Sequence, residues 1–390
     1  MHFVAQRATK GRGGRRRAPG LFNPAGTARF LRASPLFAIG PAEPGPALRR
    51  GALLAIPIGA ALAFEFGFDY PTKGAIATGA LLAGFTGMDA PARARAGWQA
   101  AAAPLIGVAA ALGVLSGQWA PAAVLAMGLL GALAGYCFAV SLRMAIFGLS
   151  VALGLVIAQG LFLPLAEIGP ALLYTTIGGL LQVLWSLLVW AAGDRNEDGG
   201  ASGWNRPAAL AAARANLTMS SPAMRHAIRF GAALAAGVAL YNLLGLRQHG
   251  FWIPLTILFV MRPDRGETNH RLILRALGTA LGLVLATALA EAFAGDDLAV
   301  GIVLTAAAAL TFGLLTVQYA LFTAAITVYV VLAATNLGER AIDAAGQRAL
   351  GTALGIAVAG LAFALWPNRP ARGEEGRQTA GLRPPTPEAR

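Results

Sequence analysis

The sequence predicts an all-α polytopic membrane protein, with about twelve transmembrane helices in two six-helix halves and each half made of two inverted three-helix repeats. Three observations carry that expectation. Charged residues are 13% of the chain and hydrophobic ones 56%, with a mean hydropathy of +0.61, whereas soluble domains carry roughly a quarter charged residues. The charges fall in short runs that leave apolar stretches of crossing length, since ~20 apolar residues span the hydrocarbon core. An octapeptide, Arg275-Ala276-Leu277-Gly278-Thr279-Ala280-Leu281-Gly282, recurs letter for letter as Arg348 to Gly355.

In chain order, the segment 1–46 is expected to be a disordered basic tail. It holds Arg7, Lys10, Arg12, Arg15, Arg16 and Arg17, no acid before Glu43, and many Gly and Pro. Much of the formal net charge of +13 lies there, which places it beside anionic lipid and does not call for a nucleic-acid partner. An organelle transit peptide is the rarer reading of an Arg-rich, acid-poor start. The first transmembrane half, 47–193, has apolar stretches near 50–66, 74–88, 98–116, 119–140, 143–163 and 168–192. A polar run from Gly193 opens a linker over 194–221. The second half, 222–367, has stretches near 224–244, 250–262, 271–293, 297–314, 316–336 and 345–366, and 368–390 reads as a disordered tail. The stretch 250–262 is short, and Pro254 within it is expected to break the helix.

Basic residues concentrate in cytoplasmic loops near helix ends. With the N-terminus inside, those loops hold Arg93, Arg95, Arg143, Arg195, Arg206, Arg214, Arg225, Arg262, Arg265 and Arg271. The outer loops hold Glu65, Asp69, Glu167, Glu291, Asp296, Asp297, Glu339 and Asp343, and only Lys73, Arg247 and Arg340 run against the pattern. Both termini are therefore expected in the cytoplasm, in an inner (plasma) membrane. Cys137 is the single cysteine, so intrachain disulfides and Cys-based metal sites are excluded. No cofactor, metal site or phosphate loop of the G-x-x-x-x-G-K-[ST] kind is expected, and the chain does not read as an enzyme.

The octapeptide copies lie three spans apart, an odd number, so they start at opposite membrane faces. That is an inverted-topology repeat. In each copy Arg, Gly, Thr and Gly stand at i, i+3, i+4 and i+7, hence on one helix face. Gly278, Gly282, Gly351 and Gly355 let neighbouring helices approach closely. Arg275 and Thr279, with Arg348 and Thr352, can offer a guanidinium and a hydroxyl to an anion. The plainer reading is a packing seam with each Arg snorkelling to its headgroup layer. Gln159, Gln182 and Gln318 are expected to join helices.

The run His249-Gly250-Phe251-Trp252-Ile253-Pro254-Leu255-Thr256, then Val260-Met261-Arg262-Pro263-Asp264, then the Arg275 helix, resembles the signature of the fusaric acid resistance protein family. The Arg348 helix, ending in Trp366-Pro367, fits it too. The resemblance covers about residues 220–367, and 47–193 only in architecture. It implies an aromatic acid exporter-like protein, distantly similar to the plant aluminium-activated malate transporters, with Arg275 and by repeat Arg348 in the path of an anion. Arg262, His249 and Trp252 join the substrate-binding set on the same ground. The first half lacks an Arg at either equivalent position. The function expected is secondary export of organic, aromatic-carboxylate anions. A passive anion channel on the same fold and a non-transporting scaffold or partner subunit are the alternatives. The expected partners are the lipid bilayer and a small organic anion, with a periplasmic adaptor or a second copy of the chain as further candidates.

Overall fold

The computed structural model describes residues 43–66, 74–193, 206–246, 250–336 and 340–366. The two tails beyond these, the polar run from 194 to 205, and His249 with Arg247 lie outside the described residues. Among the described residues there are thirteen α-helices and no strand. The first six are α1 (Pro44–Phe66), α2 (Ala75–Phe85), α3 (Ala92–Gly117), α4 (Ala120–Tyr136), α5 (Leu142–Gly160) and α6 (Ile168–Ala192). A linker helix α7 (Arg206–Ala215) follows. The last six are α8 (Pro222–Leu243), α9 (Trp252–Val260), α10 (Arg265–Ala292), α11 (Asp297–Leu314), α12 (Tyr319–Asn336) and α13 (Ala341–Leu365). Each expected apolar stretch carries a helix.

Eight of these helices are long and apolar enough to cross a membrane. Of the other expected spans, α9 and α2 are the shortest. A nine-residue helix rises only ~14 Å at 1.5 Å per residue, against a hydrocarbon core of ~30 Å, so α9 cannot cross alone. Eleven-residue α2 is short in the same way. Both are sheathed by neighbours: every residue of α9 except Phe259 is buried, as is most of α2. They are the second helix of their respective sets of six. Pro254 does not break α9, because it stands in the first turn, where no backbone donor is lost.

Helix starts follow local chemistry. Asp264 accepts a hydrogen bond from the Glu267 amide and opens α10, as Asp296 does for α11 and Ser221 for α8. The same packing scheme occurs in both sets of six. In the first, α3 packs on α5 and α6 on α2; in the second, α10 packs on α12 and α13 on α9. The two sets meet through α1 against α11 and α4 against α8.

Candidate functional site

The glycines of the octapeptides bring backbones close. A Cβ on Gly278 would collide with the Ala320 carbonyl and the Thr323 side chain, and one on Gly282 with Ala324 and Thr327, all on α12. A Cβ on Gly351 would collide with Trp252, and one on Gly355 with Thr256 and the Ile253 carbonyl, all on α9. So each octapeptide face is pressed against a different helix, and both Arg–Thr sets are carried inside the second six-helix set.

Arg275 lies ten residues into α10 and Arg348 seven into α13, ~15 Å and ~10 Å along their axes. Neither snorkels: both side chains are 0% exposed. The Arg275 guanidinium stands 5.0 Å from the centre of the Phe259 ring, and that of Arg348 4.7 Å from Trp252. Trp252 and Phe259 sit at i and i+7 of α9, with Thr256 between them on one face. The short helix thus holds one arginine at each end, and Arg275 is near enough to act electrostatically on Arg348.

Neither guanidinium has a hydrogen-bond partner at any of its three nitrogens. Tyr319 stands beside Arg275 with its hydroxyl oxygen placed to accept from the guanidinium, while its proton goes to the Phe259 carbonyl at 3.0 Å. The buried hydroxyls of Thr256, Thr279, Thr323, Thr327 and Thr352 are unpartnered as well. The magnitudes make this arrangement unusual. Burying a charge costs several kcal/mol, while a cation–π contact returns ~0.5–2 kcal/mol. Two like charges side by side add to the cost. Buried polar groups are nearly always hydrogen-bonded, so seven unpaired side chains clustered on four helices form a site with donors to spare.

The other residues expected at the site fare differently. Trp252 is there, as the ring under Arg348. Arg262 is committed elsewhere. It donates to the Met261 carbonyl at 3.1 Å, lies 3.6 Å from Glu267, and its own amide donates to Thr268, so it builds the turn between α9 and α10. His249 lies outside the described residues. Thr256, Thr323, Thr327, Phe259 and Tyr319 were not singled out as site residues. The sequence carries one signal for that pair, a loose match of Thr256-Ile257-Leu258-Phe259-Val260 to Thr327-Val328-Tyr329-Val330-Val331. Glu65, assigned to an outer loop, closes the last turn of α1 and is only 4% exposed. Gln159 and Gln182 do join helices, donating to Ser116, to the Ala123 carbonyl and to the Leu54 carbonyl. Gln318 instead caps the start of α12.

With this geometry in view, the comparisons with known proteins fall on the same stretch. Residues 234–362 match the family described as Fusaric acid resistance protein-like. This part of the chain is similar to fusaric acid resistance protein-like domains. It runs from within α8 to within α13 and contains both arginines. Similar proteins include Inner membrane protein YccS of Escherichia coli K12, 35% identical over 154 residues, which are 39% of this chain and 21% of that one. An uncharacterised protein of Haemophilus influenzae is 32% identical over 154 residues, again 39% and 21%. The ORF2 protein of Neisseria gonorrhoeae is 30% identical over 158 residues, 40% of this chain and 37% of its own length. The chain therefore covers only about a fifth to two fifths of these relatives' lengths. No solved structure matches.

Proposed function

We propose that the fusaric acid resistance protein-like domain is a transport unit for organic anions. The observation that carries this reading is the pair of fully buried, unpaired guanidiniums, Arg275 and Arg348, facing five unpaired threonine hydroxyls. A carboxylate would supply the missing charge, and a planar guanidinium binds it at two points. The aromatic faces of Trp252, Phe259 and Tyr319 beside the cations favour a carboxylate carried on a ring, and the direction proposed is export.

The packing supports an inverted repeat of α8–α10 and α11–α13. Each glycine face lies on the short helix of the other unit, Gly278 and Gly282 on α12, Gly351 and Gly355 on α9. Thr256 and Thr327 hold corresponding places. Short helices at matching positions of two halves mark transporter sites near the membrane midplane, and α2 and α9 are such a pair. With both termini cytoplasmic, Arg275 faces the side of capture and Arg348 the side of release. Both arginines are closed off in this conformation, so an anion enters only when α9 or α12 moves. This gating favours a carrier over an open channel.

Efflux of benzoate from proteoliposomes, measured for wild type, Arg275→Lys and Arg275→Gln at equal protein abundance, tests the proposal. A hydrogen bond to a charged group contributes ~1.5–3 kcal/mol, so the Gln variant should lose about tenfold or more in apparent affinity. Lys, which keeps the charge without the fork, should fall between. Equal efflux by all three would leave Arg275 a packing residue and remove the anion site.

A further inference from the structure

Among the buried side chains outside the anion site is the carboxyl group of Glu65. Glu65 is the single acidic residue among the buried polar ones described. Its Oε1 accepts a hydrogen bond from the Ile76 amide at 2.8 Å, while Oε2 has no partner. The carboxyl group therefore rests on the first amides of α2, a short buried helix. Amides at a helix start favour the carboxylate, and removal from water favours the neutral acid, so the two influences oppose each other at one oxygen pair.

What faces Glu65 is sparse. From α12 it is Tyr329, which lies within electrostatic reach. Helix α2 has no titratable side chain, and Tyr174 is the one on α6. On α11, Asp297 lines the groove where α1 and α11 meet. No described lysine or arginine acts on Glu65. The same α12 that presents Tyr329 to Glu65 presents Thr323 and Thr327 to Gly278 and Gly282. One helix thus carries a residue within electrostatic reach of the lone carboxyl and packs against the arginine-bearing α10.

We propose that Glu65 is a proton-binding site coupled to anion binding, an inference that rests on the transport reading above. One proton adds to Oε2 from the aqueous phase at the membrane face where α1 ends, and later leaves from the same oxygen; no other bond changes. The change in charge is felt by α12 and passed to the hydroxyls at the arginines. Because such coupling is reciprocal, an anion at Arg275 and Arg348 must change the proton affinity of Glu65 by the factor that protonation changes anion affinity.

The test uses the whole chain. Benzoate efflux and proton movement are followed across pH in proteoliposomes of wild type, Glu65→Gln and Glu65→Asp. Gln keeps an acceptor for the Ile76 amide but binds no proton. The expected result is a pH-dependent wild-type efflux accompanied by proton movement. Both the pH dependence and the proton movement are lost in Glu65→Gln, which still moves benzoate, and both return in Glu65→Asp. A wild-type pH profile in Glu65→Gln makes Glu65 only a cap of α2 and overturns the inference. If wild type moves no benzoate, the transport reading fails instead, and an infrared titration of the purified protein decides for Glu65. A protonated-carboxyl band that benzoate alters, and that Glu65→Gln lacks, upholds the proton site. A band indifferent to benzoate ends it.

Discussion

The two sets of six helices share a packing scheme but differ in how they use their buried polar groups. In the first set most of the buried polar side chains bond to another helix, although Glu65 Oε2, Gln99 Nε2, Gln159 Oε1 and Gln182 Oε1 keep one atom without a partner. Arg95 donates to Ser186 at 3.1 Å, Ser186 donates to Gln99 at 2.7 Å, Gln159 bridges Ser116 and Ala123, and Gln182 reaches the Leu54 carbonyl. In the second set, two guanidiniums held over aromatic rings and five hydroxyls are buried without a hydrogen-bond partner. Polar groups that hold helices together satisfy each other; groups kept for a ligand do not. The contrast supports the proposal that the first set is a frame and the second carries the anion site.

The largest expected effect comes from the scheme both sets share. Replacing Gly278 with Leu would drive a side chain into the Ala320 carbonyl, costing more than the ~1–3 kcal/mol of ordinary overpacking. The expected outcome is loss of the monodisperse protein on size exclusion in detergent. Recovery of folded Gly278→Leu would show that the close approach of α10 and α12 is not required.

The next pair of substitutions should have opposite signs. Without anion, Arg275→Met removes an unpaired buried charge and should raise stability, by on the order of 1–4 kcal/mol if it behaves as replaced buried ions do. Gln182→Leu removes the bond to the Leu54 carbonyl that ties α6 to α1 and should lower stability by ~0.5–1.5 kcal/mol. Thermal unfolding of the purified variants reads both. If Arg275→Met destabilises as Gln182→Leu does, the second set is frame as well.

Much of the fold was legible in the sequence, because apolar runs bounded by charge must become helices in lipid. The octapeptide also pointed straight to Arg275 and Arg348, since a repeated Arg in an apolar helix is conspicuous. What it left open was depth: an Arg near a span end can snorkel or turn inward, and only the neighbours decide. Phe259 and Trp252 did so here. Arg262 looked equivalent in the motif, yet Glu267 and the Met261 carbonyl claim it. Thr323 and Thr327 were hidden because a threonine in an apolar run commonly bonds its own helix, as Thr311 does with Ala307. Glu65 read as a loop acid because the sequence alone gave no sign that the start of α2 folds back on the end of α1.

A smaller effect is expected at Thr256, between the two arginines. Thr256→Val keeps the shape and removes one unpaired hydroxyl, so stability should hold within ~1 kcal/mol. The hydroxyl's bond to an anion contributes ~0.5–1.5 kcal/mol, a loss in benzoate affinity of up to about tenfold. Equal affinity in wild type and Thr256→Val would remove the short helix from the site.

The contrast between frame and site is tested most directly by calorimetric titration of the purified protein with benzoate. Wild type is compared with Arg275→Gln and Arg348→Gln from the second set and Arg95→Gln from the first. Wild type and Arg95→Gln should bind alike, while Arg275→Gln and Arg348→Gln should each bind about tenfold or more weakly. Four equal isotherms, or a loss confined to Arg95→Gln, would contradict the account.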